Sequence, residues 1–174
     1  MSSETRREDS AGASRDGEPR HVRVAIVGAG FSGLGIAIQL KRHGVSDFVV
    51  IERGAEVGGT WRDNTYPGCA CDVPSHLYSF SFAPNPNWSR RFSPQREIQQ
   101  YLRDCAARFG VLPHIRLNEE VRDARWDEVA CRWRLTTSRG TLSADLLVFG
   151  NGPLSEPSLP AIPGLDRFAS TLFH

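Results

Sequence analysis

The sequence predicts an α/β fold built around a parallel sheet, on three observations. An apolar, β-rich run from Val22 to Val27 leads directly into Gly28, Gly30 and Gly33 in the spacing G-x-G-x-x-G. Leu34, Ile36, Ala37, Ile38 and Leu40 then recur as a helix would place them, with Gly44 as the stop. A second apolar strand, Phe48 to Ile51, closes the unit and ends on an acid, Glu52.

Each part of that unit has a mechanical reason. A parallel strand covered on both faces reads as a continuous apolar run, as the first strand does. Gly28 permits the tight turn, Gly30 lets backbone approach a pyrophosphate, and Gly33 lets the helix pack closely on the strand. Phe31 and Ser32 complete the turn at the helix N-terminus, where free N–H groups and the helix dipole favour an anion. Glu52 stands about 20 residues beyond the glycines, where an acidic side chain accepts hydrogen bonds from ribose hydroxyls. A carboxylate there repels a 2′-phosphate, so FAD or NAD fits this turn and NADP does not. Strand before, helix after and acid at the end of the next strand raise the glycine spacing above chance, and the expected domain is Rossmann-like.

A chain of 174 residues that is 40% hydrophobic can bury one sizeable core. The formal charge of +1 provides no field to attract nucleic acid or an anionic membrane. Lys41 is the only lysine among 21 cationic residues, which reads as coding bias and not as a binding patch. No run of about 18 apolar residues offers a membrane span. Residues 1–20 are rich in Ser, Gly, Arg, Glu and Asp and have no apolar signal region, so they are expected to form a disordered leader. Cys69, Cys71, Cys105 and Cys131 form no C-x-x-C pair and have no histidine cluster beside them, so reduced thiols in a cytoplasmic protein without a metal are expected. The sequence carries no signal of oligomeric state.

From Arg53 to Arg91 no long helical or strand period exists, yet aromatics and glycines are frequent. A long irregular stretch with apolar content is expected to lie over a ligand. Gly58 and Gly59 allow close backbone approach, and Trp61, Tyr66 and Tyr78 offer flat surfaces for a ring system. Asp72, flanked by Cys71 and Val73, is expected to find a cationic or hydrogen-bonding partner, because an acid buried without one costs several kcal/mol.

The segment Gly58 to Asp72, GGTWRDNTYPGCACD, resembles the fingerprint of the Baeyer-Villiger monooxygenases, [AG]-G-x-W-x-x-x-x-[FY]-P-[GM]-x-x-x-D, with every fixed position met. The resemblance implies a flavoprotein with two dinucleotide-binding domains. In it Gly28, Gly30, Ser32 and Gly33, with Phe31 among them, surround the FAD pyrophosphate, and Glu52 holds the adenosine ribose. It further implies that Gly59, Thr60, Trp61, Asp72 and Tyr78 lie at the flavin half, and that Ala70, Cys71 and Asp72 lie near the nicotinamide of NADPH. Asp72 is the residue it singles out for catalysis, in a supporting role that holds an arginine and the nicotinamide over the flavin.

Ser93-Pro94 reads as a helix opening, an N-cap hydroxyl followed by proline at the first helical position. Ile98, Tyr101, Leu102, Cys105, Ala106 and Phe109 form the core-facing stripe, Gly110 stops the helix, and Arg96, Gln99, Arg103 and Arg108 read as its solvated face. His76 and His114 stand alone and are structural. IRLN from Ile115, VRDARW from Val121 and CRWRLTT from Cys131 read as strands, with a turn at Ser138-Arg139-Gly140. The alternation of Cys131, Trp133 and Leu135 with arginines marks a half-exposed antiparallel ribbon. The resemblance rests this small meander on the first domain and brings the backbone of Val121 to the adenine. Asp145 to Phe149 reads as a further parallel strand, ending in Gly150-Asn151-Gly152 where the resembled family has Ala-Thr-Gly.

The expected organisation is therefore a leader over 1–20, an FAD-binding domain over 21–153 and a linker over 154–174 leading to an NADPH-binding domain that this chain does not contain. In the linker Phe168 and His174 match the second family motif, F-x-G-x-x-x-H-x-x-x-W, with Ser170 in place of its glycine. The implied reaction reduces FAD with NADPH, activates O2 on the reduced flavin and inserts one oxygen beside a ketone carbonyl, giving an ester or lactone. Oxidation of an amine or sulfide by the same cofactors, and a nucleotide-binding module or truncated product without activity, stay open as alternatives.

Overall fold

The computed structural model describes residues 20–172. The expected leader thus lies outside the described residues except for Arg20, which opens the first strand, and His174 lies outside them as well. The elements in chain order are β1 (Arg20–Val27), α1 (Phe31–Arg42), β2 (Phe48–Ile51), α2 (Thr60–Asp63), α3 (Gln95–Arg108), β3 (Ile115–Arg116), β4 (Val121–Asp127), β5 (Arg132–Thr137) and β6 (Gly140–Phe149), with short 3-10 turns at Ser75–Leu77, Leu112–His114 and Leu165–Arg167.

One sheet takes all six strands, in the order β3-β2-β1-β6-β5-β4. β3, β2, β1 and β6 are parallel, whereas β5 runs antiparallel to both β6 and β4. The small antiparallel meander that the sequence predicts beside the parallel strands continues the same sheet. β6 makes this possible by its length: Gly140 to Ala144 pairs with β5, while Leu142 to Phe149 pairs with β1. The strand expected from Ile115 to Asn118 shrinks to two residues, since Asn118 takes a left-handed φ of 54°. Cys131 also has a left-handed φ, 48°, and belongs to the turn before β5 and not to the ribbon.

Both faces of the parallel strands are covered, as their apolar composition requires. Val24, Ile26, Phe48 and Val50 pack with Leu34, Ala37 and Ile38 of α1 and Tyr101, Leu102 and Cys105 of α3. Ala25, Val49 and Ile51 point the other way, onto Leu135, Leu142 and Ala144. Each fully buried Leu or Ile in these layers contributes about 1.5–3 kcal/mol relative to exposure.

Both long helices stop at the glycines that the sequence marks. Val45 donates its N–H to Leu40 O and Gly44 to Lys41 O; in α3 Val111 donates to Ala106 O and Gly110 to Ala107 O. These paired bonds are a Schellman ending, which requires the left-handed φ that Gly44 (77°) and Gly110 (63°) supply. Lys41 also has a structural task, donating through Nζ to Gly110 O and so tying the end of α1 to the end of α3. The opening of α3 differs from expectation. Pro94 is the extended cap residue, and Ser93 is fully buried with its hydroxyl bonded to Ser75 Oγ at 2.7 Å. Burial against a neighbouring loop has turned that hydroxyl away from the helix.

Candidate functional site

The site is assembled where two glycine motifs meet at the C-terminal ends of β1 and β2. Gly28 leaves β1 with φ 95°, a turn that an L side chain rarely adopts, and a Cβ there would stand 3.1 Å from Gly150 O. A Cβ on Gly33 would stand 1.8 Å from Gly28 O, so α1 packs on the turn with no room for a methyl. Between them, Gly30 caps α1 in an extended conformation, without side-chain capping and without an acid in the first turn. The first bond within the helix runs from Leu34 N–H to Gly30 O, so the N–H groups of Phe31, Ser32 and Gly33 have no acceptor inside it. Three unspent donors at the positive end of a 12-residue helix suit a diphosphate.

The second motif lies against the first. Gly58 donates its N–H to Ala29 O at 2.9 Å, and the Cα of Gly59 comes within 3.6 Å of a Cβ placed on Gly30. Thr60 and Trp61 then begin α2. The Trp61 indole N–H donates to the Tyr78 hydroxyl at 3.0 Å, their rings meet edge-to-face at 5.5 Å, and Tyr78 in turn meets Phe31 edge-to-face at 4.9 Å. Phe31, Trp61 and Tyr78 therefore form one aromatic group beside the open end of α1. Burial pushes the Tyr78 phenol above its ordinary pKa; the Trp61 N–H pulls it down, and nearby Cys71 and Asp72 add to the rise.

Glu52 is 4% exposed and its carboxylate is already engaged. Oε2 accepts from Ala29 N–H at 2.8 Å; Oε1 accepts from Gly54 N–H and from Arg62 Nη1, both at 2.7 Å. Arg62, in a variable position of the Gly58–Asp72 motif, is a participant that sequence reasoning missed. Burial pulls its pKa down, but hydrogen bonds to Asp63 and Glu52 outweigh this and raise it. Val121 reaches the same corner indirectly. Glu119, two residues before it, donates its N–H to Glu52 O at 2.9 Å and accepts from Thr137 Oγ1 at 2.7 Å.

Ala70, Cys71 and Asp72 are held differently. Ala70 bridges to Pro94, and Cys71 donates its N–H to Ser93 O at 2.8 Å, so this segment is pinned to the opening of α3. Asp72 is exposed, and the expectation that burial gives it a partner fails: its neighbour Cys71 is buried, but the carboxylate stands in water, where no desolvation cost arises.

A polar seam backs the motif, where the sequence suggested solvent. Gln99 is buried, accepts from Gln95 Nε2 and donates to Glu56 Oε1, while Arg103 Nη2 pairs with Glu56 Oε2. Gln95 Nε2 also donates to the carbonyl of Trp61. The helical period marks Gln99 and Arg103 as polar, but only the course of the covering loop shows what that polar face meets.

Among the described residues no group of His, Cys, Asp and Glu is placed to hold a metal ion, and no helix is long and apolar enough to cross a membrane. Cys69, Cys71 and Cys105 are buried free thiols, and Cys131 is an exposed one.

Comparison with known proteins agrees with this geometry. A family described as an NAD(P)-binding Rossmann-like domain matches residues 26–94. A Baeyer-Villiger monooxygenase of Streptomyces coelicolor is 60% identical over 154 residues, 88% of this chain and 30% of the relative. One from Pseudomonas aeruginosa is 48% identical over 156 residues, 89% of this chain and 30% of the relative. Among solved structures, cyclohexanone monooxygenase from Rhodococcus bound to NADP+ superposes with a TM-score of 0.80 at 34% identity, covering 87% of this chain and 29% of that one. An oxidised steroid monooxygenase bound to NADP gives 0.76 at 41% identity, covering 85% and 29%. The chain thus spans about 30% of the length of the relatives it matches. In sequence and in fold this chain is thus similar to about three-tenths of the length of these Baeyer-Villiger monooxygenases.

Proposed function

We propose that this chain is the FAD-binding part of an NADPH- and O2-dependent flavin monooxygenase of Baeyer-Villiger type, which converts ketones to esters or lactones. The observation that carries the reading is the contact between the two glycine motifs, Gly58 N–H on Ala29 O at 2.9 Å, with the unspent amides of α1 and the Phe31, Trp61 and Tyr78 rings beside it. A dinucleotide with a flat, largely apolar ring system matches that combination of anion site and aromatic lining. In this reading residues 21–153 form the FAD-binding unit, 154–174 lead on to an NADPH-binding domain, and the protein works in the cytoplasm.

FAD, when bound, accepts hydride from NADPH and activates O2. The chain's own groups do the rest. The N–H groups of Phe31, Ser32 and Gly33 would hold the diphosphate, Glu52 would accept from a ribose hydroxyl, and the backbone of Val121 would meet the adenine. Gly59, Thr60, Trp61 and Tyr78 bound the flavin side, and their aromatic rings exclude water there. Asp72, exposed next to Ala70 and Cys71, would orient the nicotinamide through a cationic partner outside this chain.

The test is the full-length protein, purified and examined for flavin absorption near roughly 450 nm, then assayed for ketone-dependent NADPH consumption with mass-spectrometric detection of the ester. Flavin binding with ester formation supports the reading. Flavin binding with sulfoxide or N-oxide as the only product moves it to heteroatom oxidation, and a folded protein without flavin overturns it.

A further inference from the structure

We infer that Arg62 is the positioning residue of the adenosine end of this site, holding Glu52 so that a single acceptor site, on Oε2, remains for one ribose hydroxyl; the inference rests on the FAD reading above. A carboxylate has about four acceptor sites, two on each oxygen. In Glu52 both sites of Oε1 are filled, by Gly54 N–H and Arg62 Nη1, and one site of Oε2 is filled by Ala29 N–H. The one that is left sits beside the glycine turn, because Ala29 lies between Gly28 and Gly30.

Arg62 is committed to this task. Nη1 donates to Glu52 Oε1 and Glu56 O, Nε to Asp63 Oδ1 and Nη2 to Asp63 Oδ2, at 2.7 to 3.0 Å. With four of its about five N–H donors spent, it is a clamp and not a reader of phosphate. The surrounding backbone is shaped to admit it. A Cβ on Gly54 would stand 2.1 Å from Arg62 Nη1, and one on Gly58, at φ 132°, would stand 3.1 Å from Arg62 Cβ. The second glycine motif therefore does more than lie against the first: it delivers the cation that fixes the ribose acceptor. Glu52, Arg62 and Asp63 together still carry one net negative charge, so the corner continues to repel a 2′-phosphate.

The experiment measures affinity of the full-length protein for FAD and for two analogues, with adenosine replaced by 2′-deoxyadenosine or by 3′-deoxyadenosine. In the wild type one analogue should bind about ten- to hundredfold more weakly than FAD, the loss of a charge-assisted hydrogen bond, and the other nearly as well as FAD. Arg62→Met should bring FAD down to the level of the weaker analogue and leave that analogue unchanged. Arg62→Lys should recover part of the difference. Gly54→Ala, which presses a methyl on the guanidinium without removing its charge, gives a second route to the same loss should Arg62→Met not fold. Variants that weaken FAD and both analogues alike would show a merely structural role and overturn the inference. So would a wild type that binds all three equally. A wild type that binds no FAD would overturn the flavin reading itself, whereas FAD binding that keeps its discrimination in Arg62→Met and Gly54→Ala overturns only the positioning role.

Discussion

Gly30 and Gly59, 29 residues apart and each the key glycine of its own motif, meet face to face: a Cβ added to Gly59 would stand 3.1 Å from the Cα of Gly30. The two are not equivalent. Gly59 has a left-handed φ of 53°, whereas Gly30 is extended and a Cβ on it would make only ordinary contact, at 3.6 Å. Gly30→Ala should therefore leave the thermal midpoint of the flavin-free protein within a degree or two, roughly the effect of a few tenths of a kcal/mol, while weakening FAD. Gly59→Ala should lower both, by about 1–2 kcal/mol in stability. Differential scanning fluorimetry with and without FAD separates them; an unchanged FAD affinity in Gly30→Val would remove the glycine turn from the site.

Glu52→Gln should cost more than a ribose contact. Three N–H donors converge on the carboxylate, and an amide would turn its own N–H donors toward some of them or leave Arg62 Nη1 without its carboxylate, in a site where both partners are largely buried. Asp63 still balances the guanidinium, so the loss is that of a charge-assisted hydrogen bond, about 1.5–3 kcal/mol, and the flavin-free protein itself should lose stability in urea. A Glu52→Gln protein with unchanged unfolding midpoint would mean that the carboxylate is not committed as these distances indicate.

Asp127 gives the meander an acid-side weakness. Its carboxyl is held below the ordinary range by the Ala130 N–H, then by Arg134, whose Nε lies 2.6 Å from Oδ2, and by the Val129 N–H. Because the folded pKa is depressed, this contribution is fully present above the unfolded value, about 3.9, and is lost as pH falls through the folded one. Trp126 and Trp133 meet edge-to-face across β4 and β5 at 5.7 Å and report on the same ribbon. Their near-ultraviolet circular dichroism should fade as pH falls below about 4 and fade less steeply in Asp127→Asn. Identical acid profiles would rule this linkage out.

What the sequence made legible is local. β1, α1, β2 and the glycine stops follow from runs and spacings within about ten residues, and each lies where the pattern puts it. The position of Glu52 was legible too, but its partners were not, because Arg62 occupies a place that the motif leaves open and meets Glu52 only once the chain has folded back to the end of β2. Ser93 and Gln99 were misread for one common reason. A hydroxyl before proline reads as a cap and a polar helix face reads as solvated, yet the loop from Glu56 to Ser75 covers both. Asp72 was misread in the opposite sense, since a buried neighbour does not bury an acid that the chain turns outward. The single continuous sheet depends on β6 pairing with strands on both sides, a register that no local pattern in residues 140–149 specifies.

β6 also sets the last expectation. From Asp145 to Phe149 it pairs with β1 on one side, while its pairing with β5 on the other side ends at Ala144. Along this half-paired stretch Leu146 is 56% and Phe149 63% exposed, and exposed Leu154, Leu159 and Ile162 follow. An apolar patch larger than a few hundred Å² beside an open strand edge favours self-association. The 174 residues expressed by themselves should therefore sediment as oligomers or aggregates at micromolar concentration and bind a hydrophobic dye. A Leu146→Lys, Phe149→Lys double variant should scatter less light with its thermal midpoint little changed, since both side chains already face water and contribute little to the core. By contrast Trp61 and Tyr78, joined by their hydrogen bond and packed with Phe31, should not drive association, and Leu77→Ser nearby should leave sedimentation unaltered. A wild-type chain that sediments as a monomer without dye binding would show that the open edge of β6 is tolerated.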